Sequence, residues 1–238
     1  MNKKYFRILK KCVLQGIYPS KCPFCGQITL GGICQFCENT IHKIKEPRCM
    51  KCGKPIENNR QEYCFDCKKG RHVYDWGRSL WVHRSPVSDA VYQLKYQNKR
   101  IYGKTAEEMA KEYGDFLKKQ KVDLLIPIPL HRFRRWKRGY NQAEILAEEL
   151  GKRTGIPVAK RLLIRSKRTT PQKELDNRLR RKNIDHAFQV KNPIMAKKVV
   201  LIDDIYTTGS TIDEAARTLK RAGVREVGFL TISIGQGY

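Results

Sequence analysis

The chain has 238 residues, 40% of them hydrophobic and 30% charged, and 49 Lys and Arg outnumber 23 Asp and Glu to give a formal net charge of +26. That length holds one ordinary domain plus a smaller module, and no stretch approaches the roughly 20 consecutive apolar residues that a membrane-spanning helix requires. A positive excess of this size repels itself in a compact state, so it points to polyanionic partners (nucleic acid, phosphorylated metabolites or anionic lipid) against a blander reading of solvated Lys-rich helix faces.

The opening segment, "MNKKYFRILKKCVLQGIY", is basic at its start, but Lys10 and Lys11 interrupt any apolar core, which argues against a signal peptide. Tyr5, Leu9, Cys12 and Val13 share one face of a short helix suited to packing on the next module or to touching a membrane surface. A cytoplasmic protein is expected, with peripheral contact at the inner face of the membrane as an option.

All 9 cysteines fall in the first 67 residues. Eight form four Cys-x-x-Cys pairs: Cys22/Cys25, Cys34/Cys37, Cys49/Cys52 and Cys64/Cys67. In a reducing compartment such a framework suits tetrahedral Zn²⁺ better than disulfides, and two pairs close one site. "CPFCG" and "CMKCG" carry the glycine of a tight knuckle, while "CQFC" and "CFDC" lack it. That alternation favours sequential pairing, with Cys22, Cys25, Cys34 and Cys37 in one ribbon and Cys49, Cys52, Cys64 and Cys67 in the next; cross-braced pairing stays open. Either way the two zinc ions are structural, because four protein ligands leave no open position.

After Cys67 the composition changes, and a boundary near residue 70 divides a double zinc-ribbon module (1–70, including the N-terminal helix) from a second domain (71–238). "WGRSLWVH" reads as a strand, Ser88 as a helix cap, and residues 104–120 as a helix with Ala106, Met109, Ala110, Tyr113 and Leu117 on one face. From 122 onward the pattern alternates: strand "VDLLIPIP", helix "NQAEILAEELGKRTG", short strand "AFQV", strand "KKVVLID", helix "STIDEAARTLKRAG" and strand "EVGFLTISI". Alternation of this kind implies an α/β domain, a mostly parallel sheet flanked by helices, with ligands at the carboxyl ends of its strands.

Two loops sit at such ends. In "VVLIDDIYTTGST", Asp203 and Asp204 precede Thr207, Thr208, Gly209, Ser210 and Thr211, which open into a helix near Ser210 or Thr211. Backbone N–H groups at a helix start, with hydroxyls around them, suit a phosphate, and Gly209 lets the backbone approach closely. Adjacent carboxylates accept hydrogen bonds from vicinal hydroxyls, and phosphate plus diol is a ribose 5-phosphate. The other loop, "LHRFRRWKRGYNQ", concentrates Arg132, Arg134, Arg135, Lys137 and Arg138, a density suited to pyrophosphate or a nucleic-acid backbone. A polar, basic stretch from 165 to 188 reads as a flap.

"VVLIDDIYTTGST" resembles the 13-residue phosphoribosyl pyrophosphate (PRPP) motif of type I phosphoribosyltransferases. With the four cysteine pairs, "LKY", "PIPLHRFRRWKRGYNQAEILAEEL" and "RTTPQKELDNRLRRKN", the chain is similar to the ComF/GntX family of phosphoribosyltransferase-like competence proteins over residues 20–234. The resemblance implies a type I phosphoribosyltransferase-like domain with a parallel five-stranded core, preceded by the zinc ribbons. It also implies handling of incoming single-stranded DNA during natural transformation, alongside an ATP-driven DNA translocase. By motif, Asp203 and Asp204 would hold the ribose 2′- and 3′-hydroxyls, Thr207–Thr211 the 5-phosphate, and the segment around Arg135, Lys137 and Arg138 the pyrophosphate, with Mg²⁺ bridging. Lys95, Arg168, Thr169 and Gln172 are motif positions without an assigned role. A competing reading is an active transferase that passes ribose 5-phosphate to an unidentified nitrogen acceptor. A third is a zinc-stabilised adaptor with a vestigial pocket.

Overall fold

The computed structural model describes residues 20–29, 33–70, 72–94, 100–166 and 186–235. The N-terminal helix with Cys12, the flap residues Arg168, Thr169 and Gln172, and Lys95 lie outside the described residues.

The first module holds two short pairs of elements. Strands β1 (Ser20–Lys21) and β2 (Ile28–Thr29) pair antiparallel around the first knuckle, and helix α1 (Gln35–Thr40) carries Cys37. Helix α2 (Phe65–Lys68) carries Cys67. The main sheet follows, with β3 (Trp76–Val82), β4 (Leu124–Pro127), β7 (Lys198–Tyr206) and β8 (Glu226–Ile234) in the order β3-β8-β7-β4. All three neighbour pairs are parallel. Their residues are near-continuously apolar, as strands covered on both faces must be. Among the described residues the sheet has four strands. What the family resemblance leads one to expect as a fifth is a single parallel bridge, Leu125 to Val158, on the far side of β4. Strands β5 (Leu163–Arg165) and β6 (Phe188–Val190) form a separate antiparallel pair, so "AFQV" is a strand that does not join the main sheet.

Helices α3 (Val87–Leu94), α4 (Arg100–Lys119) and α6 (Gln142–Thr154) cover one face of the sheet, and α7 (Ser210–Arg221) the other. In α4 the apolar stripe is as the spacing predicts: Ala106, Met109, Tyr113 and Leu117 are buried and Ala110 packs on them. Each such side chain contributes roughly 1.5–3 kcal/mol when fully buried. Helix α6 starts at Asn141, whose side chain accepts from the Ala143 N–H at 3.2 Å, and stops at left-handed Gly155. Ser88 does not cap α3. It lies inside the first turn, and the side chain of Ser85 reaches Asp89 at 2.7 Å instead.

The zinc-ribbon module straddles an edge of the sheet. The segment between its two cysteine groups pairs with β3: Lys43 bridges Trp81, and the Val82 N–H donates to the His42 carbonyl at 3.0 Å. An open strand edge is thereby covered. Cys22, Phe24, Cys37 and Ile41 join the core beside α3, α4 and α6, with Phe24 set edge-on to Trp81 at 5.2 Å. Ile44, Cys49, Cys52, Cys64 and Cys67 join the core on the other face, with Tyr74, Tyr206 and Phe229.

Candidate functional site

The eight paired cysteines gather into two groups, Cys22/Cys25/Cys34/Cys37 and Cys49/Cys52/Cys64/Cys67, with all Sγ atoms of a group within 4.8 Å of one another. The sequential pairing is the one the structure adopts. Sulfurs at the corners of a tetrahedron around Zn²⁺, with Zn–S near 2.3 Å, sit about 3.8 Å apart. The contacts Cys25–Cys34 (3.5 Å) and Cys52–Cys64 (3.6 Å) fit that size. Gly26 and Gly53, both with φ near +75°, close the knuckles by donating their N–H groups to the Cys22 and Cys49 carbonyls at 3.0 and 2.9 Å. Contacts with Cys52, Cys64 and Cys67 lower the pKa of Cys49, and contacts with Cys49, Cys64 and Cys67 raise that of Cys52. The two groups fit two structural zinc ions. The second group is buried throughout, whereas Cys25 of the first is exposed. Burial acts to lower the pKa of Lys54, but Asp66, bonded at 2.8 Å, and the sulfurs of Cys64 and Cys52 outweigh it.

The strand expected to end at the carboxylate pair runs further. Asp203 and Asp204 lie within β7, which continues through Ile205 to Tyr206 because β8 stays paired alongside, Asp203 opposite Thr231 and Tyr206 opposite Ile234. On the other side β4 ends at Pro127, opposite Ile202. The two half-buried acids thus stand just past the end of β4, where the sheet opens to its neighbouring loops. Arg165 is half-buried, and burial and the charge of Arg134 lower its pKa to about 10, with Asp203 opposing. Tyr102 is raised mainly by burial, then by the charge of Asp204 and by Tyr140, with Arg138 opposing. The charge of Asp203 thus acts on Arg165, and that of Asp204 on Tyr102.

The hydroxyl loop leads into α7, whose N-cap is Gly209 rather than Ser210 or Thr211. Gly209 has φ +79°, and a Cβ there would sit 2.7 Å from the Tyr206 hydroxyl. The loop needs glycine for both reasons. No side chain caps the helix, so the first N–H groups of α7 point into the loop. Thr207 is exposed, Thr208 and Thr211 half-buried and Ser210 buried, with the Thr208 and Ser210 hydroxyls 3.0 Å apart.

The basic segment after β4 is not a loop. It forms helix α5 (Arg132–Arg138), capped by His131, whose ring nitrogen accepts from the Phe133 N–H at 3.3 Å, and ended by left-handed Gly139. "RFRRWKR" contains no residue that opposes a helix, so its two caps decide. Arg135 pairs with Glu144 at 2.9 Å, while the charge of Arg134 acts on Arg165 and that of Arg138 on Tyr102. Lys137 lies on the same helix. Phe133 and Trp136 protrude, Trp136 with 81% of its surface exposed.

Against known families, residues 13–68 match the double zinc ribbon domain and residues 95–233 the phosphoribosyl transferase domain. Competence protein F of Haemophilus influenzae is 32% identical over 207 residues, 84% of this chain and 89% of that protein. The chain belongs to the ComF family of competence proteins. Within it, DNA utilization protein YhgH of Escherichia coli K12 is 28% identical over 88% of this chain and 94% of its own length, and competence protein ComFC of Streptococcus pneumoniae is 30% identical over 82% and 84%.

Several ComF-chain residues at this site escape sequence reasoning. Arg165 of β5 lies within reach of the charge of Asp203, and Tyr102 of α4 within reach of that of Asp204, neighbours that only the fold brings together. A row of buried hydroxyls lies behind the acids: Ser79 and Thr231 meet at 2.6 Å, and Ser233 meets the His83 ring at 2.9 Å. Polar residues at inward positions of β3 and β8 were the only signal for it. No helix among the described residues is long and apolar enough to cross a membrane.

Proposed function

We propose that this chain handles incoming single-stranded DNA during natural transformation, using a Mg²⁺-dependent PRPP pocket at residues 203–211, with zinc in a structural role. The observation that carries the pocket is the conjunction of an acid pair past the end of β4 with an uncapped, glycine-started helix two turns away in sequence. Asp203 and Asp204 accept hydrogen bonds from the ribose 2′- and 3′-hydroxyls. The N–H groups at the start of α7, with Thr207, Thr208, Ser210 and Thr211, take the 5-phosphate. Arg135, Lys137 and Arg138 of α5 supply the positive charge for the pyrophosphate. Mg²⁺, when bound, supplies charge neutralisation between pyrophosphate and ribose oxygens. The names of the relatives, competence and DNA utilization proteins aligned along 82–88% of this chain, support the biological setting. So does the +26 charge, which favours a polyanion through counterion release. Exposed Trp136 and Phe133 on the basic α5 supply stacking faces for single-stranded bases. The work belongs at the cytoplasmic side of the membrane, beside an ATP-driven translocase.

Calorimetric titration tests the pocket. PRPP with Mg²⁺ binds the wild type and fails to bind Asp203→Ala/Asp204→Ala; equal binding by both would remove the assignment. The intact motif also favours a second reading, in which ribose 5-phosphate is transferred to a nitrogen acceptor. Pyrophosphate release in the presence of nucleobases, amines or DNA decides for it, and its absence with PRPP bound decides against it.

A further inference from the structure

The second cysteine group and the hydroxyl loop share a buried linkage. His72 follows the last cysteine, Cys67, by five residues, and its side chain is only 4% exposed. Its Nδ1 lies 2.7 Å from one Asp213 oxygen, while the Val73 N–H donates to the other at 2.7 Å. Asp213 sits in the first turn of α7, and its own N–H donates to the Gly209 carbonyl at 2.7 Å. Two residues on, the Tyr74 hydroxyl meets the Tyr206 hydroxyl at 2.6 Å, and Tyr206 immediately precedes the loop. His72 stacks on Tyr74 at 5.0 Å, and Tyr206 stacks on Phe229 at 4.7 Å. Cys52 and Cys67 belong to the same buried cluster as Tyr74 and Tyr206. Around Gly209, a side chain would meet the Tyr206 hydroxyl at 2.7 Å and His72 Cε1 at 3.0 Å, so these two rings form the wall of the turn.

From this geometry we infer that the second zinc site and the phosphate loop are energetically coupled through His72 and Tyr74, which act as positioning residues for residues 207–211. The inference rests on the assignment of that loop to the 5-phosphate of PRPP. His72 and Val73 grip both oxygens of Asp213, and thereby fix the first turn of α7, whose N–H groups define the cradle. The segment that carries His72 and Tyr74 is in turn anchored by the cysteines upstream. Loss of the second zinc loosens that anchor and with it the cradle. By reciprocity, a ligand that holds the cradle must also hold the zinc, by the same factor.

The test is zinc transfer from the full-length protein to a chromogenic chelator, with and without saturating PRPP and Mg²⁺. Two phases are expected, a fast one from the first site with its exposed Cys25 and a slow one from the buried second site. PRPP slows the slow phase about fivefold or more, the lower range of coupling between linked sites, and leaves the fast phase unchanged. His72→Ala loses the protection and binds PRPP correspondingly more weakly. His72→Asn, which keeps an N–H near the Nδ1 position, restores both, and Tyr74→Phe, which removes one oxygen from the core, gives an intermediate loss. A wild type that binds PRPP by calorimetry yet releases its slow zinc at the same rate overturns the coupling while leaving the pocket intact. Equal protection in wild type and His72→Ala overturns the role of His72. A wild type that binds no PRPP overturns both the pocket and the coupling.

Discussion

Replacing Gly209 with alanine asks two things of the loop at once. The backbone there has φ +79°, a left-handed conformation that costs an L-residue about 1–2 kcal/mol. The new Cβ would also stand 2.7 Å from the Tyr206 hydroxyl, and Tyr206 cannot swing away freely: its side chain is buried and its hydroxyl is bonded to Tyr74 at 2.6 Å. Breaking that contact leaves a buried hydroxyl unsatisfied, at about 1–3 kcal/mol. The expected total for Gly209→Ala is therefore about 2–5 kcal/mol. Gly139, at the end of α5, supplies the control, since it has φ +74° and nothing within 4 Å of a Cβ. Gly139→Ala bears only the backbone cost, partly offset by a stiffer unfolded chain, for about 1 kcal/mol net. Urea unfolding of both variants in zinc-containing buffer, followed by fluorescence, measures the difference. If Gly209→Ala is no more than about 0.5 kcal/mol worse than Gly139→Ala, a margin typical of neutral surface changes, the Tyr206 wall does not press on the turn and the reasoning fails.

Metal analysis of the purified chain gives two zinc ions, Cys22→Ser and Cys49→Ser each lose one, and the first site yields its zinc to a chelator sooner because Cys25 is exposed; simultaneous loss from both sites would contradict that order. Trp136→Ala changes stability by less than about 0.5 kcal/mol but weakens single-stranded DNA binding, measured by fluorescence anisotropy, by about 1–3 kcal/mol, roughly fivefold or more. Asp123 accepts from the Lys198 and Lys197 N–H groups, both at 2.8 Å, which hold its pKa below the usual carboxylate value. Its contribution is complete above the unfolded value of about 3.9 and is lost as pH falls through the lower folded value. The gap in melting temperature between wild type and Asp123→Asn accordingly narrows on acidification below about pH 4, and a gap that stays constant would contradict the assignment.

The sequence was most legible where a local rule leaves little choice. Cysteine spacing and knuckle glycines announced both metal groups, and the apolar period of "AEEMAKEYGDFL" announced the buried face of α4. It was least legible where an element's state depends on a distant neighbour. The strand read as "KKVVLID" was expected to end at the acid pair, because two carboxylates are poor strand formers by themselves; pairing with β8 carries it on to Tyr206. "RFRRWKR" looked like a loop from its charge, yet His131 and Gly139 close it as a helix, and Arg135 pairs with Glu144. Arg165 and Tyr102 had no local signature at all, and only the fold brings them within reach of the charges of Asp203 and Asp204. Nor does spacing reveal that the zinc ribbons straddle the edge of the sheet, since that depends on a pairing between residues 42–44 and β3.

The proposed function stands most directly on the acid pair Asp203 and Asp204. In a naturally transformable host lacking its own family member and complemented with this chain, transformation frequency with Asp203→Ala/Asp204→Ala, at protein levels equal to wild type, should fall to that of the uncomplemented strain. A frequency equal to wild type would separate the pocket from the process and contradict the central claim.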